Sequence, residues 1–309
     1  MEYLDEEKVR SLLSWEALIP AVESALIRLS SGKMQQPVRS VLRVPEHRTG
    51  ETRGIFALMP AVDGDLMGVK LVTFYEKNTN QPTHQAVIQL LSAKTGEPLI
   101  AMDGRLITEM RTAAVSALAT RLFARKDAQV LAILGSGVQA RSHLRALRIV
   151  RNFREVRVWS RTLDHARRFA SEFSVTSVET PEKAVRGADV VVSVAATREP
   201  IVLGKWLDEH TLVCAVGAVT PDRRELDDAA MKAAIVVESR EAALRESGDL
   251  IGSGAPIYGE IGEVLGGERA APTSRVVFKS LGVAAADLAA AAVVWRASQG
   301  RANHYNQSN

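Results

Sequence analysis

A single cysteine, Cys214, stands among 309 residues, so no intrachain disulfide can brace the fold. It lies in the apolar run 212–216, where a thiol packs as a small hydrophobe. No stretch is apolar and long enough to span a bilayer; the best, 288–295 (LAAAAVVW), fits a packed helix. The opening MEYLDEEKVRSLL is acidic and amphipathic and lacks both the basic start and the apolar core of a secretory leader, so the expected location is the cytoplasm. The formal charge is only +3, with no long basic block and no basic strand interleaved with aromatics, which argues against nucleic acid as a partner. The six histidines fall at no recognised metal-ligand spacing, and no metal site is expected. What is present is a chain 46% hydrophobic, long enough for a large core and for two domains.

Its organising stretch is 130–147, VLAILGSGVQARSHLRAL. An apolar strand runs into Gly135-Ser136-Gly137-Val138-Gln139-Ala140, and residues 142–147 then read as helix. This is the strand, tight turn and helix of a dinucleotide fold. Gly135 can take a turn that a side chain would obstruct, Gly137 leaves room for a pyrophosphate to meet backbone N–H groups, and small Ala140 lets helix and strand pack closely. An NAD-binding domain carries an acid roughly 20 residues further on, to hold the ribose hydroxyls. Here that point reads Trp159-Ser160-Arg161-Thr162, without a carboxylate. Arg161 is suited to clamp a 2′-phosphate, with Ser160 or Thr162 donating to it, so NADPH is favoured and NADH remains possible.

Before this motif, residues 5–29 carry two helical patterns, with Pro20 fitting the first turn of the second. Strand-like runs at 36–44, 54–59, 66–75, 84–91 and 99–103 follow without intervening helices, with a turn at 60–64, and predict a mainly antiparallel sheet. Residues 108–124 read as a helix with Thr108 as N-cap and Arg111 in its first turn. Beyond the motif, strands and helices alternate, with a short helix at 227–232 and another at 257–265. The alanine-rich stretch 284–297 is a helix suited to close packing against the first domain, and the polar tail after Gly300 is expected to fray. Within the first domain Arg39, Lys70, His84 and Arg111 each interrupt or border an apolar element, where unpaired burial is costly. Arginine suits bidentate carboxylate binding, and a partly buried lysine can act as acid, base or electrostatic stabiliser.

Taken together, these residues carry a resemblance. Gln36-Pro37-Val38-Arg39, Val69 through Tyr75, Thr83-His84-Gln85-Ala86, Met102-Asp103-Gly104 with Ile107-Thr108, and Arg111-Thr112-Ala113-Ala114 resemble the ornithine cyclodeaminase/mu-crystallin family, and in particular its ketimine reductase branch. The likeness continues through the glycine motif with His143, Trp159 to Thr162, Glu246-Ser247-Gly248-Asp249 and Val277-Phe278-Lys279-Ser280-Leu281-Gly282. It implies an α/β protein: a Rossmann dinucleotide-binding domain (121–287) and a second, discontinuous α+β substrate and dimerisation domain (1–120, completed by 288–309), forming a homodimer through the N-terminal sheets. It implies Arg39 and Arg111 at a substrate carboxylate, Lys70 near the reacting centre and His84 near the pocket. The cofactor-facing set it implies is Gly135, Ser136, Gly137, Val138, Gln139, Ser160, Arg161, Thr162, Ala195, Val219, Ser280, Leu281 and Gly282.

One departure narrows the activity. The cyclodeaminase branch has an aspartate after the Gly-Ala pair at a strand end, whereas Gly217-Ala218 is here followed by Val219, which cannot exchange protons. Asp222 lies nearby at an offset that does not match. Ornithine cyclisation is disfavoured, and the expected activity is NADPH-dependent reduction of a cyclic ketimine carboxylate to the L-amino acid, with no membrane or nucleic-acid partner. Three alternatives stand beside it: an amino-acid dehydrogenase or imine reductase on open-chain substrates, an NADPH-dependent small-molecule binding protein of the thyroid-hormone-binding kind, and the disfavoured ornithine cyclodeaminase.

Overall fold

The structure is a computed structural model that describes residues 2–46 and 51–300. The chain divides into two compact units, Met1–Arg111 with Val283–Asn309, and Thr112–Gly282. The sequence places these divisions at 120/121 and 287/288. The first falls instead inside a helix that starts earlier than its composition indicates, and the last helix belongs to the first unit from its first residue. The tail expected to fray lies outside the described residues.

The first unit begins with β1 (Tyr3–Leu4), α1 (Glu6–Leu12) and α2 (Trp15–Ser30). Ser14 caps α2 by accepting from the Ala17 N–H, so the helix starts early and Pro20 sits in its interior rather than its first turn. With β1, the strands β2 (Ser40–Pro45), β3 (Thr52–Asp63), β4 (Leu66–Phe74), β5 (His84–Ser92) and β6 (Pro98–Asp103) build a six-stranded sheet in the order β1-β6-β5-β4-β3-β2. Every pairing is antiparallel except β1 with β6. Pro60, expected in a turn, lies within β3. The β2 register ends at Ser40 opposite Leu58, so no β2 ladder bond is asked of its missing N–H. α3 (Arg105–Phe123) begins where the Asp103 carboxylate accepts from the Arg105 N–H, which leaves Thr108 inside the helix and puts Arg111 in its second turn.

The second unit alternates β7 (Val130–Leu134), α4 (Val138–Val150), β8 (Glu155–Trp159), α5 (Leu163–Phe173), β9 (Thr176–Ser177), α6 (Pro181–Val185), β10 (Val190–Ser193) and β11 (Leu212–Ala215). It continues with β12 (Ala234–Val237), α7 (Arg240–Glu246), α8 (Gly248–Ser253), β13 (Ile257–Glu260), α9 (Ile261–Leu265) and β14 (Val276–Lys279). The eight strands are all parallel, in the order β13-β12-β14-β11-β10-β7-β8-β9. Strand order reverses between β7 and β10, which makes the carboxyl end of β7 the crevice where such sheets take a ligand. Residues 227–232 form a turn, not a helix: Asp227 caps a single turn by accepting from Ala230 N–H, and the chain then enters β12 at Ala234. Residues 257–265 split into β13 and α9, since a reciprocal cap between Glu260 and Glu263 starts the helix at Ile261. Cys214 is fully buried on β11, and burial pushes its thiol up to about 12, with Thr120 and Ser116 opposing the rise.

α10 (Ala284–Ser298) closes the first unit. It packs on α2 and across β3, β4 and β5, and its residues from Ala284 to Val294 are all buried, which alanine permits by letting backbones approach closely. The buried side of α2 includes Leu18, Val22 and Leu26, each fully enclosed and worth about 1.5–3 kcal/mol of transfer free energy.

Candidate active site

Alternation along β4 turns Gly68 and Lys70 to the buried side of the sheet and Val69 and Leu71 to the other. In register, Lys70 lies between Met59 of β3 and Ile88 of β5, both buried, and is itself only 2% exposed. An ammonium in such a place needs a partner. Asp287 of α10 supplies it, with Oδ2 2.8 Å from Lys70 Nζ. The other oxygen, Oδ1, accepts from Arg111 Nε at 2.9 Å, so one buried carboxylate joins a strand lysine to a helix arginine.

Charge here is unbalanced. Burial lowers the Lys70 pKa, Asp287 opposes, and Arg111 and Arg39 lower it further, leaving it at about 7. Burial raises Asp287, but Arg111 and Lys70 outweigh it and hold the carboxyl below its ordinary value. Arg39 lies in the extended lead into β2 and His84 at the start of β5, both within this field. Burial first, then Lys70 and Arg111, push His84 down to about 4, so its imidazole is neutral at neutral pH. Arg111 Nη1 is buried without a hydrogen-bond partner among the described residues. A guanidinium with an unused buried donor, beside a lysine and a second arginine, is a seat for an anion such as a carboxylate. The four first-domain residues singled out from sequence thus fall in one electrostatic neighbourhood.

The second unit holds the glycine turn. Gly135, at φ +124°, has the Val194 side chain 3.0 Å from where a Cβ would sit, so only glycine suits the turn. Gly137 is the N-cap of α4 and makes no side-chain cap bond, and a Cβ placed there would meet open space. The N–H groups of Val138 and Gln139 therefore open α4 with its positive dipole end over a clear volume, as a pyrophosphate requires. Ser136 Oγ donates to Ser160 Oγ at 3.1 Å, which brings the turn beside the end of β8, where Arg161 and Thr162 are exposed. Ala195 follows β10, Val219 lies beyond β11 at 37% exposure, and Ser280, Leu281 and Gly282 follow β14. These residues fit a dinucleotide: an open helix N-terminus, a glycine-lined turn, and strand ends on both sides of the crevice. The donors of Ser280, Leu281 and Gly282 that face Glu238 are already engaged by its carboxylate. His143 is buried behind the turn; its Nδ1–H donates to the Gln139 carbonyl and its Nε2 accepts from Ser116, an anchor for α4.

Sequence reasoning missed Asp287 and assigned it to the other domain. Its signal was available: it is the lone charge in a run otherwise alanine, leucine and valine from Ala284 to Val294, and a buried carboxylate must be paired. It also missed Glu225, Glu238 and Lys279, which are buried in the second unit. Asp222, the acid near Val219, accepts from the Thr220 hydroxyl at 2.7 Å.

A family model for the ornithine cyclodeaminase/mu-crystallin family matches residues 2–301. The chain is 45% identical over 305 residues to the ketimine reductase mu-crystallin of Mus musculus, covering 95% of this chain and 96% of that protein. The fold matches the Thermococcus litoralis Delta(1)-pyrroline-2-carboxylate reductase in complex with NADH and L-proline, with a TM-score of 0.92, 34% identity and 97% and 98% of the two chains covered. It also matches an archaeal alanine dehydrogenase dimer with bound NAD, with a TM-score of 0.89, 31% identity and 97% and 96% of the chains covered.

Proposed function

The chain belongs to the ornithine cyclodeaminase/mu-crystallin family, and from that premise we propose that it is an oxidoreductase that reduces the C=N bond of cyclic imine carboxylates to L-amino acids, with NADPH as its preferred cofactor. The observation that carries the reading is the Lys70–Asp287–Arg111 cluster, where a buried guanidinium with an unused donor adjoins a lysine near neutrality. Arg111 and Arg39 bind the carboxylate of a five- or six-membered ring imine such as pyrroline-2-carboxylate or piperideine-2-carboxylate. The imine nitrogen then faces Lys70, whose ammonium donates the proton that the nitrogen gains as the carbon is reduced. A donor with a pKa near the working pH is the most effective. Asp287 fixes both cations, and neutral His84 serves as a hydrogen-bonding partner rather than as the acid. When bound, the reduced nicotinamide supplies the hydride.

NADPH is favoured over NADH because exposed Arg161, with Ser160 and Thr162, stands where a ribose-binding carboxylate would otherwise be. The homodimer is supported by the outer face of the first-unit sheet, where Leu58, Leu71 and Val87 stand side by side and all retain exposure. Val219 leaves no titrating group at the position that cyclodeamination needs, so that activity is not expected. Steady-state assays of both ring imines with NADPH and NADH in parallel test the reading. NADPH-driven turnover of at least one is expected; no turnover of either overturns it. Strict dependence on ammonia or methylamine with open-chain keto acids would favour the amino-acid dehydrogenase alternative.

A further inference from the structure

Three buried carboxylates of the second unit share one habit, each accepting from two consecutive backbone N–H groups through a single oxygen. Glu225 Oε2 takes Gly217 N at 2.7 Å and Ala218 N at 3.0 Å. Glu238 Oε2 takes Leu281 N and Gly282 N, both at 2.8 Å. Asp249 Oδ1 takes Glu225 N at 2.8 Å and Leu226 N at 3.0 Å. The first two also accept a serine hydroxyl on the other oxygen, from Ser193 at 2.5 Å and Ser280 at 3.1 Å. Lys279, fully buried at the end of β14, lies 2.9 Å from Asp249 and 3.7 Å from Glu225.

These contacts converge on two loops, one after β11 and one after β14, at the carboxyl ends of neighbouring parallel strands. The glycine turn seats the pyrophosphate and the end of β8 faces the adenosine ribose, so the other half of a dinucleotide must lie over the β10, β11 and β14 side of the crevice. Gly217 records how closely the clamp is built. A Cβ there would come within 2.5 Å of the Ala195 carbonyl oxygen and 2.6 Å of Glu225 Oε1, so only glycine lets the carboxylate reach the two amides.

We propose that Glu225 and Glu238 are positioning residues for the cofactor: they hold the loops carrying Val219 and Leu281–Gly282 in the shape that receives its nicotinamide half, and Glu225 does so only as a carboxylate, so that cofactor affinity follows its ionisation. The proposal rests on the reductase reading given above. Protonation on Oε1 turns the Ser193 contact from accepting to donating and leaves Oε2 a neutral carbonyl, a weaker acceptor for the two amides than a carboxylate oxygen. The groups facing it are Lys279 from β14, Asp249 from α8 and Ser193 from β10; neighbouring Arg224 turns away to Asp228 and the Leu226 carbonyl. Burial pushes Glu225 up to about 7, with Lys279 and Ser193 opposing and Asp249 adding to the rise, so the switch lies in the neutral range.

Fluorescence titration of the full chain with NADH and NADPH at pH 6, 7 and 8 tests this, together with amide-exchange protection of the cofactor-free protein. With a pKa of about 7 that falls on binding, the Kd of wild type should rise about tenfold from pH 8 to pH 6, and protection of Gly217 and Ala218 should fall. Glu225→Gln does not titrate and mimics the protonated form, so its NADH profile should be flat at the weaker affinity that wild type shows at pH 6. Ser193→Ala removes one hydrogen bond to the carboxylate and should move the midpoint to higher pH. Identical profiles in wild type and both variants, or protection at Gly217 and Ala218 that ignores pH, overturns the proposal. Failure of both nucleotides to bind wild type at pH 8 overturns the reductase reading itself.

Discussion

Two lysines are buried among the described residues, Lys70 and Lys279, and their surroundings differ in one respect. Lys279 has two carboxylates, Asp249 and Glu225, around a single positive charge. Lys70 shares one carboxylate, Asp287, with Arg111, and Arg39 adds to the positive field. The first group carries more carboxylates than cations and so has no use for an outside anion. The second keeps surplus positive charge and an unused guanidinium donor, which folding alone does not justify, since a buried charge without a partner costs several kcal/mol. Burial of charge therefore does not by itself mark a binding site. Imbalance does.

The contrast can be broken most forcefully at Lys279. Lys279→Met leaves two buried carboxylates without their cation and should cost about 3–5 kcal/mol of stability, measured by urea or thermal unfolding. A loss below about 1 kcal/mol would show that the Lys279 group is not held by its ion pairs. Lys70→Met should do the reverse: imine reduction falls about 10²- to 10⁴-fold while nucleotide binding persists, and stability changes by less than about 1 kcal/mol because Asp287 keeps Arg111. Full activity would remove Lys70 from the chemistry. A smaller effect sharpens the comparison further. The donor form of Lys70 exists below its pKa of about 7, so kcat/KM should fall as pH rises through that value. Asp287 raises that pKa, and Asp287→Asn should therefore move the alkaline limb toward acid pH, whereas an unmoved limb would separate Asp287 from Lys70 in the reaction.

What could be read from the chain follows the same logic. Lys70 and Arg111 stood out because each breaks an apolar pattern, and the glycine turn because its chemistry is local and contiguous. The antiparallel sheet was legible from successive strand runs with no helix between them. Asp287 was not paired with Arg111, 176 positions away, since nothing local links them. Glu225 sits in the stretch TPDRRELDD, which reads as a polar loop, and only tertiary packing buries it. Helix starts were missed where the cap came from a side chain whose role depends on its neighbours, as with Asp103 ahead of α3 and Ser14 ahead of α2.

The buried thiol of Cys214 has a practical consequence. Only the thiolate reacts with alkylating reagents, and a group raised to about 12 on a fully enclosed strand offers almost none. The native protein should be silent to such reagents, and any modification should track the opening of β11, a central strand of the parallel sheet. Mass spectrometry after timed iodoacetamide pulses would then give the rate at which that sheet opens, with and without cofactor. A cysteine introduced anywhere on the surface would be the sole point of attachment for a fluorescent or spin label.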